Sequence, residues 1–306
     1  MPELGIVLPA PKGRLKEIGS KARLAEKHGF SGVYGTEATI DGLSTALQAA
    51  LATERVTIGT AIANIYYRHP ALAGMTASHI HEVSGGRMAL GLGTSHQVIN
   101  APRGIDMSRP LTAMRGYLEE VKSHLWGEPP PKLFLGALRL GMTRLAGEAT
   151  DGVILNMIPL SRLPASVAAF REGVAKRTDG ATPTLALFLG ASVSDDLDAA
   201  REEARAGVAM YFRMEFYRNL MKECGYGAQA EAAGKAWEAR DGDAAHAAVT
   251  DGLVDELFLY GSAERCRARL EEFRAAGVDL PIISPRGDFG DGTPAFETVV
   301  RGLAPR

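Results

Sequence analysis

The chain has 306 residues, 46% of them hydrophobic and 23% charged, with a formal net charge of −2. That balance is ordinary for a globular protein, and it offers no basic excess to release counterions from DNA or RNA, which argues against a nucleic-acid partner. Cys224 and Cys266 are far apart and match no CxxC spacing, so neither a disulfide framework nor a zinc site is expected, and both read as reduced thiols of a cytoplasmic protein.

The pattern alternates strand and helix from the start. LGIVLPA (4–10) is a short apolar run that reads as a first strand and not as a signal peptide. Residues 14–29 place Leu15, Ile18, Ala22 and Ala25 on one helical face, with Gly29 as the stop. A strand over 30–38, a helix over 42–53 and a strand over 56–64 follow. Pro70 opens a helix over 70–83, where its missing N–H costs nothing. GRMALGLGT (86–94) is a fourth strand, and the irregular segment 95–110 is too long for a plain connector. A helix over 111–126, the stiff linker GEPPP (127–131), a strand over 132–137, a helix over 138–149 and a strand over 151–158 come next. A helix over 161–176 then precedes TLALFLGASV (184–193). Asp195 and Asp196 signal a helix start, and 205–260 reads as mainly helical. A capped helix over 261–277 and a last strand, VDLPIIS (278–284), complete the series.

Eight short strands, apolar on both faces and separated by helices, belong to a parallel sheet covered on both sides. Eight such units in about 300 residues predict a (β/α)8 barrel, with a doubly wound sheet as the alternative. The expectation is one domain with a helical insertion late in the barrel. No apolar run is long enough to span a membrane.

In a barrel, chemistry sits at the carboxyl ends of the strands. Those ends hold Glu37, the stretch Asn64 to His69, Thr94 with His96, Gly136 with Ala137, Asn156, and Arg286. GLGTSH (91–96) lacks the third glycine of a dinucleotide fingerprint, and neither a P-loop nor a GxSxG is present. His79 and His81 are two apart on a helix and face different ways, so they make no metal pair. Glu37 and His96 remain as proton-handling candidates, with Arg68 and Arg286 as anion contacts to a small-molecule substrate. Each has a plainer reading: Glu37 pairing with Arg68, His69 capping the helix at Pro70, Arg286 solvating a turn.

The run TERVTIGTAIANIYYRHPALAGMTASHIHEVSGGRMALGLGTSH (53–96) resembles the bacterial luciferase-like family of flavin and deazaflavin barrels. PLTAMRGYLEEV (110–121) and LFLGALRLGMTRLAGEATDGVILN (133–156) resemble its coenzyme F420-dependent branch, and IANIYYRHP is similar to the corresponding loop of methylene-tetrahydromethanopterin reductases. The resemblance implies an F420-dependent oxidoreductase that passes a hydride to or from a small organic substrate. Its alternatives are an FMN-dependent monooxygenase and a non-catalytic flavin- or deazaflavin-binding barrel. It further implies a bulged third strand with a cis peptide at Ala61–Ile62. Ala61, Ile62, Ala63 and Asn64 then line the cofactor ring, with Thr94 and Asn156 beside them. Gly136 and Ala137 cradle the cofactor phosphate at a helix start. Glu37 matches a position that carries a proton handler in relatives, and His96 stands where several carry Glu. Relatives imply a homodimer or a larger homo-oligomer.

Overall fold

The computed structural model describes residues 3–37, 40–286 and 293–305. In chain order these form β1 (Gly5–Val7), α1 (Ile18–Lys27), β2 (Gly32–Gly35), α2 (Gly42–Ala52), β3 (Thr57–Thr60), β4 (Ala63–Asn64), α3 (Pro70–Val83), β5 (Met88–Gly93), α4 (Gln97–Asn100) and α5 (Pro110–Ser123). The second half holds β6 (Lys132–Ala137), α6 (Leu140–Ala149), β7 (Gly152–Asn156), α7 (Leu163–Val174), β8 (Thr184–Val193) and α8 (Leu197–Tyr211). There follow α9 (Glu215–Glu223), α10 (Gly227–Glu238), α11 (Gly242–Ala247), α12 (Asp251–Leu257), β9 (Phe258–Gly261), α13 (Ala263–Ala275), β10 (Leu280–Pro285) and α14 (Thr293–Leu303).

The strands run parallel in the order β10, β1, β2, β3, β5, β6, β7, β8, and β10 pairs with β8 to close the ring. This is the expected (β/α)8 barrel. The predicted helical insertion is α8 to α12, between β8 and β9. No described helix is long and apolar enough to cross a membrane.

Two cores explain the apolar strands. Val7, Tyr34, Ala89, Phe134, Ile154, Ala186, Leu280 and Ile282 fill the barrel interior. Alternate residues such as Ile6, Val33, Ile58, Leu90 and Leu133 face the helices. The interior is built from aromatic rings over glycines. A Cβ on Gly5 or Gly59 would stand 2.6 or 2.5 Å from the Tyr34 ring, and one on Gly152 would stand 2.3 Å from Phe134. Small residues on one strand thus make room for a large one on its neighbour, and each aromatic ring so buried contributes roughly 1.5–3 kcal/mol.

The expected caps are present. Asp196 and Ser262 accept from Ala199 and Arg265 N–H, and His69 Nδ1 accepts from Ala71 N–H ahead of Pro70. Gly29 and Gly277 end their helices at φ +85° and +105°.

Two expectations need correction. Phe258–Gly261, which the sequence pattern assigns to helix and cap, is the further strand β9, pairing with Gly190–Val193 of β8 beyond the reach of β7. The segment 95–110 contains a helical turn at Gln97–Asn100. Ala38 of the predicted second strand and Gly287, which follows Arg286, lie outside the described residues.

Candidate functional site at the barrel mouth

The third strand breaks at the mouth. Gly59 pairs with Ala89 and Ala63 pairs with Leu92. Three residues of this strand therefore face two of β5, which is a β-bulge. The Ala61–Ile62 peptide within it is cis, as the resemblance implies. Thr60 spans the gap, since its Oγ1 donates to the Gly91 carbonyl (2.7 Å) and accepts from the Gly91 N–H (3.0 Å). The bulge turns Ile62 inward. Its side chain occupies the space that a Cβ on Gly93 would need, at 2.5 Å, and lies 3.0 Å from a Cβ on Gly136. Ile62 packs with Ala61 and Phe188 on top of the interior core, so the mouth has an apolar floor.

Beside this floor lies Glu37. Its Oε1 accepts from the Gly42 N–H (3.3 Å) and Arg68 Nη2 (2.5 Å), and its Oε2 from the Asn64 N–H (2.6 Å) and Arg68 Nη1 (3.0 Å). The Glu37 side chain is 2% exposed and that of Arg68 is 14% exposed. Arg68 also meets Asp41 at 2.9 Å. The pairing reading prevails for these two residues: Glu37 and Asp41 neutralise Arg68, and Glu37 holds the backbone where the bulged strand exits. In this arrangement Arg68 is paired with two carboxylates.

Asn64 is likewise committed. It is buried, its Nδ2 donates to Asn100 Oδ1 (2.9 Å), and its Oδ1 accepts from the Tyr66 N–H (3.1 Å). Asn100 Nδ2 in turn donates to the Thr94 carbonyl (2.8 Å). The side chain of Asn64 ties the third-strand exit to the turn after β5. Thr94 takes part through its carbonyl. Sequence reading missed Asn100 because it sits in the segment 95–110, where no periodicity singles it out.

His96 and Asn156 meet through a third residue. Tyr217 Oη accepts from Asn156 Nδ2 (2.9 Å) and stands 3.3 Å from His96 Nε2, with the two rings 5.0 Å apart. Tyr217 comes from α9, in the insertion, and is 1% exposed. Burial pushes the His96 pKa below its usual value and the Tyr217 hydroxyl well above its own, so both groups are neutral near pH 7. His96 Nδ1 has no partner. Ser95 and Met157, which follow β5 and β7, take φ of +57° and +53°. Left-handed backbone at non-glycine residues costs energy, and it concentrates at functional sites.

Arg286 closes the circuit. Its Nη2 donates to Tyr211 Oη (3.0 Å), and its guanidinium lies 5.5 Å from the Tyr211 ring centroid and 5.7 Å from that of Phe258. A cavity of about 340 Å³ opens here, lined among others by Val7, Leu8, Phe188, Tyr211, Ser284 and Arg286. A larger cavity of about 610 Å³ lies beside α13 and the end of α14, next to Leu4 ahead of β1, at the opposite end of the barrel from these groups. On the far side of the mouth, Gly136 and Ala137 lead into α6. Arg139 makes no side-chain cap there; its carbonyl accepts from the Met142 and Thr143 N–H groups, and the Leu140 and Gly141 N–H groups ahead of them have no intrahelical acceptor.

A family model described as luciferase-like monooxygenase matches residues 3–280. The chain belongs to the luciferase-like monooxygenase family. It is 27% identical over 293 residues to a 5,10-methylenetetrahydromethanopterin reductase of Methanolobus tindarius, covering 88% of this chain and 90% of that one. Its backbone is similar to the coenzyme F420-dependent tetrahydromethanopterin reductase of Methanopyrus kandleri (TM-score 0.82, 21% identity, 99% and 98% of the two chains). It is also similar to the FMN-complexed oxygenating constituent of 3,6-diketocamphane monooxygenase from Pseudomonas putida (TM-score 0.69, 17% identity, 100% and 98%). At these identities the structural likenesses establish this luciferase-like chain's fold.

Proposed function

We propose that this luciferase-like protein is an F420-dependent oxidoreductase that transfers a hydride between the deazaflavin and a small organic substrate. The observation that carries the reading is the bulge that turns Ile62 over Gly93 and Gly136. It provides a smooth apolar floor on which a flat ring can lie with one face covered and the other open. Ala61 and Phe188 extend that floor, whereas Ala63, expected there, packs in the helix-facing core. The leading N–H groups of α6, at Leu140 and Gly141, reached through Gly136 and Ala137, suit a phosphate by direction and dipole. These features fit a tricyclic ring with a phosphorylated tail, and the similarity to a methylenetetrahydromethanopterin reductase over 88% of the chain supports F420. When bound, the cofactor supplies the carbon that gives or takes the hydride.

The chain's own residues divide the remaining work. Glu37 and Arg68 fix the strand exit. His96, half-buried with Tyr217 at its Nε2 and its pKa lowered by burial, is the residue that would hold or release a proton at its imidazole. Thr94, Asn64 and Asn156 hold the mouth in shape. The reading implies a cytoplasmic homodimer, and light scattering of the purified protein checks the subunit number.

FMN is the second reading, favoured by the likeness to the FMN-complexed monooxygenase. Titrating the cofactor-free protein separately with F420 and FMN, and following quenching of cofactor fluorescence, decides between them. F420 is expected to saturate at low micromolar concentration, and FMN to bind at least tenfold more weakly. Tight FMN binding with no affinity for F420 would sink the proposal. Tight F420 binding without turnover of any substrate in a broad panel would favour the non-catalytic barrel.

A further inference from the structure

Two arginines at the barrel mouth, Arg68 and Arg286, differ in their partners among the described residues. Arg68 is clasped by Glu37 and Asp41. Arg286 has no carboxylate partner among the described residues. Its side chain meets a tyrosine hydroxyl and two aromatic faces, and its Nε is buried with no acceptor. Rings hold a guanidinium in place without cancelling its charge. A cation kept partly out of water without an anion is a standing electrostatic cost, and an incoming anion would relieve it.

The surroundings define that anion. Tyr211 Oη accepts from Arg286, so the hydroxyl proton is left to donate. Ser284 lines the same cavity, and Arg286 is the sole charged residue in its described lining. The other walls include Val7, Leu8, Pro9, Ala10 and Phe188. A cavity of about 340 Å³ with apolar walls, one cation and neighbouring hydroxyls suits a small molecule with an apolar body and a single anionic end. The planar fork of a guanidinium matches a planar carboxylate in a two-bond pairing.

Placement assigns this anion to the substrate and not to the cofactor tail. The cavity is lined from β8, β10, β1 and the end of β2. The bulge and the amino end of α6 belong to the β3, β5 and β6 arc on the other side of the ring.

We propose that the mouth cavity takes a small organic carboxylate, held by Arg286 and the Tyr211 hydroxyl, as the substrate class of this enzyme. The word substrate rests on the function proposed above; the carboxylate site itself does not.

The test is calorimetric titration of the protein, with and without F420, using butyrate, its uncharged analogue butyramide, and inorganic phosphate. Butyrate is expected to bind saturably and butyramide at least tenfold more weakly. R286Q is expected to weaken butyrate about tenfold or more, as loss of a charge-assisted hydrogen bond does. R286K should recover part of the loss, Y211F should show a smaller one, and F420 affinity should stay within about twofold throughout. Equal binding of butyramide, tighter binding of phosphate than of butyrate, or no saturable butyrate binding to the wild type would each overturn the proposal. So would an R286Q variant that loses F420 and keeps butyrate. The wild-type comparison decides the charge requirement even if R286Q fails to fold. Failure of F420 to bind while butyrate still does overturns the cofactor reading alone.

Discussion

At the scale of single residues, the mouth shows a carboxylate at a candidate catalytic position in sequence that clasps an arginine in three dimensions. Glu37 stands at a strand end where functional groups collect, yet all of its hydrogen-bond partners are donors and its side chain is almost fully enclosed. Removing its charge leaves Arg68 with Asp41 alone. Breaking a buried ion pair costs about 3–5 kcal/mol; with Asp41 still in place, Glu37→Gln should cost about 3 kcal/mol at most and lower the melting temperature by on the order of 5 °C. Thermal denaturation followed by circular dichroism measures this. A variant as stable as the wild type, but slower by about 10² in kcat, would return Glu37 to direct proton transfer. His96 differs from Glu37. No charged group among the described residues pairs with it, and burial lowers its pKa.

At the scale of elements, the third strand matters most. Its extra residue shifts the register between β3 and β5 and aims Ile62 into the barrel. The glycines opposite are therefore part of the site, although they carry no chemistry. Gly93→Ala puts a methyl where Ile62 now sits, and the three nearest atoms in its way all belong to the Ile62 side chain. Such overpacking costs roughly 1–3 kcal/mol. Because Ile62 must move toward the open mouth, F420 affinity should fall about tenfold or more, an effect of about 1.4 kcal/mol. Equilibrium binding measurements on a folded Gly93→Ala protein check this, and unchanged affinity would remove Ile62 from the cofactor floor. The insertion contributes in a similar indirect way: α9 brings Tyr217 to His96, and the end of α8 brings Tyr211 to Arg286.

At the scale of the whole molecule, the site is shared among distant parts of the ring. Residues from β2, the bulged third strand, β5, β7, β8, β10 and the insertion meet at one end, so a ligand there ties separate elements together. A ligand that binds only the folded state adds about 2.7 kcal/mol at a concentration 100 times its Kd. With F420 at that excess, the melting temperature should rise by roughly 5 °C, while butyramide at the same concentration leaves it unchanged. Calorimetric melting of the cofactor-free and F420-loaded protein reads this directly, and a flat response to F420 would count against a cofactor seated across the mouth.

The amino-acid sequence by itself determined the alternation of strand and helix, because burial on both faces writes itself as short apolar runs. It determined the barrel's eight-strand count and the caps at Asp196, Ser262 and His69, because local hydrogen bonds and backbone conformation need only neighbouring residues. With the family likeness added, it located the bulge at Ala61–Ile62. Only the tertiary structure decided what each polar group does there. Glu37 and Arg68 are 31 positions apart, Asn64 and Asn100 are 36 apart, and His96 and Tyr217 are 121 apart. No local pattern encodes such pairings, since they arise when the barrel closes. The strand Phe258–Gly261 was hidden for the same reason: four apolar residues next to helices extend only because the free edge of β8 is there to pair with them. The charge state of the mouth is likewise a product of closure, which neutralises Arg68 and leaves Arg286 among aromatic rings.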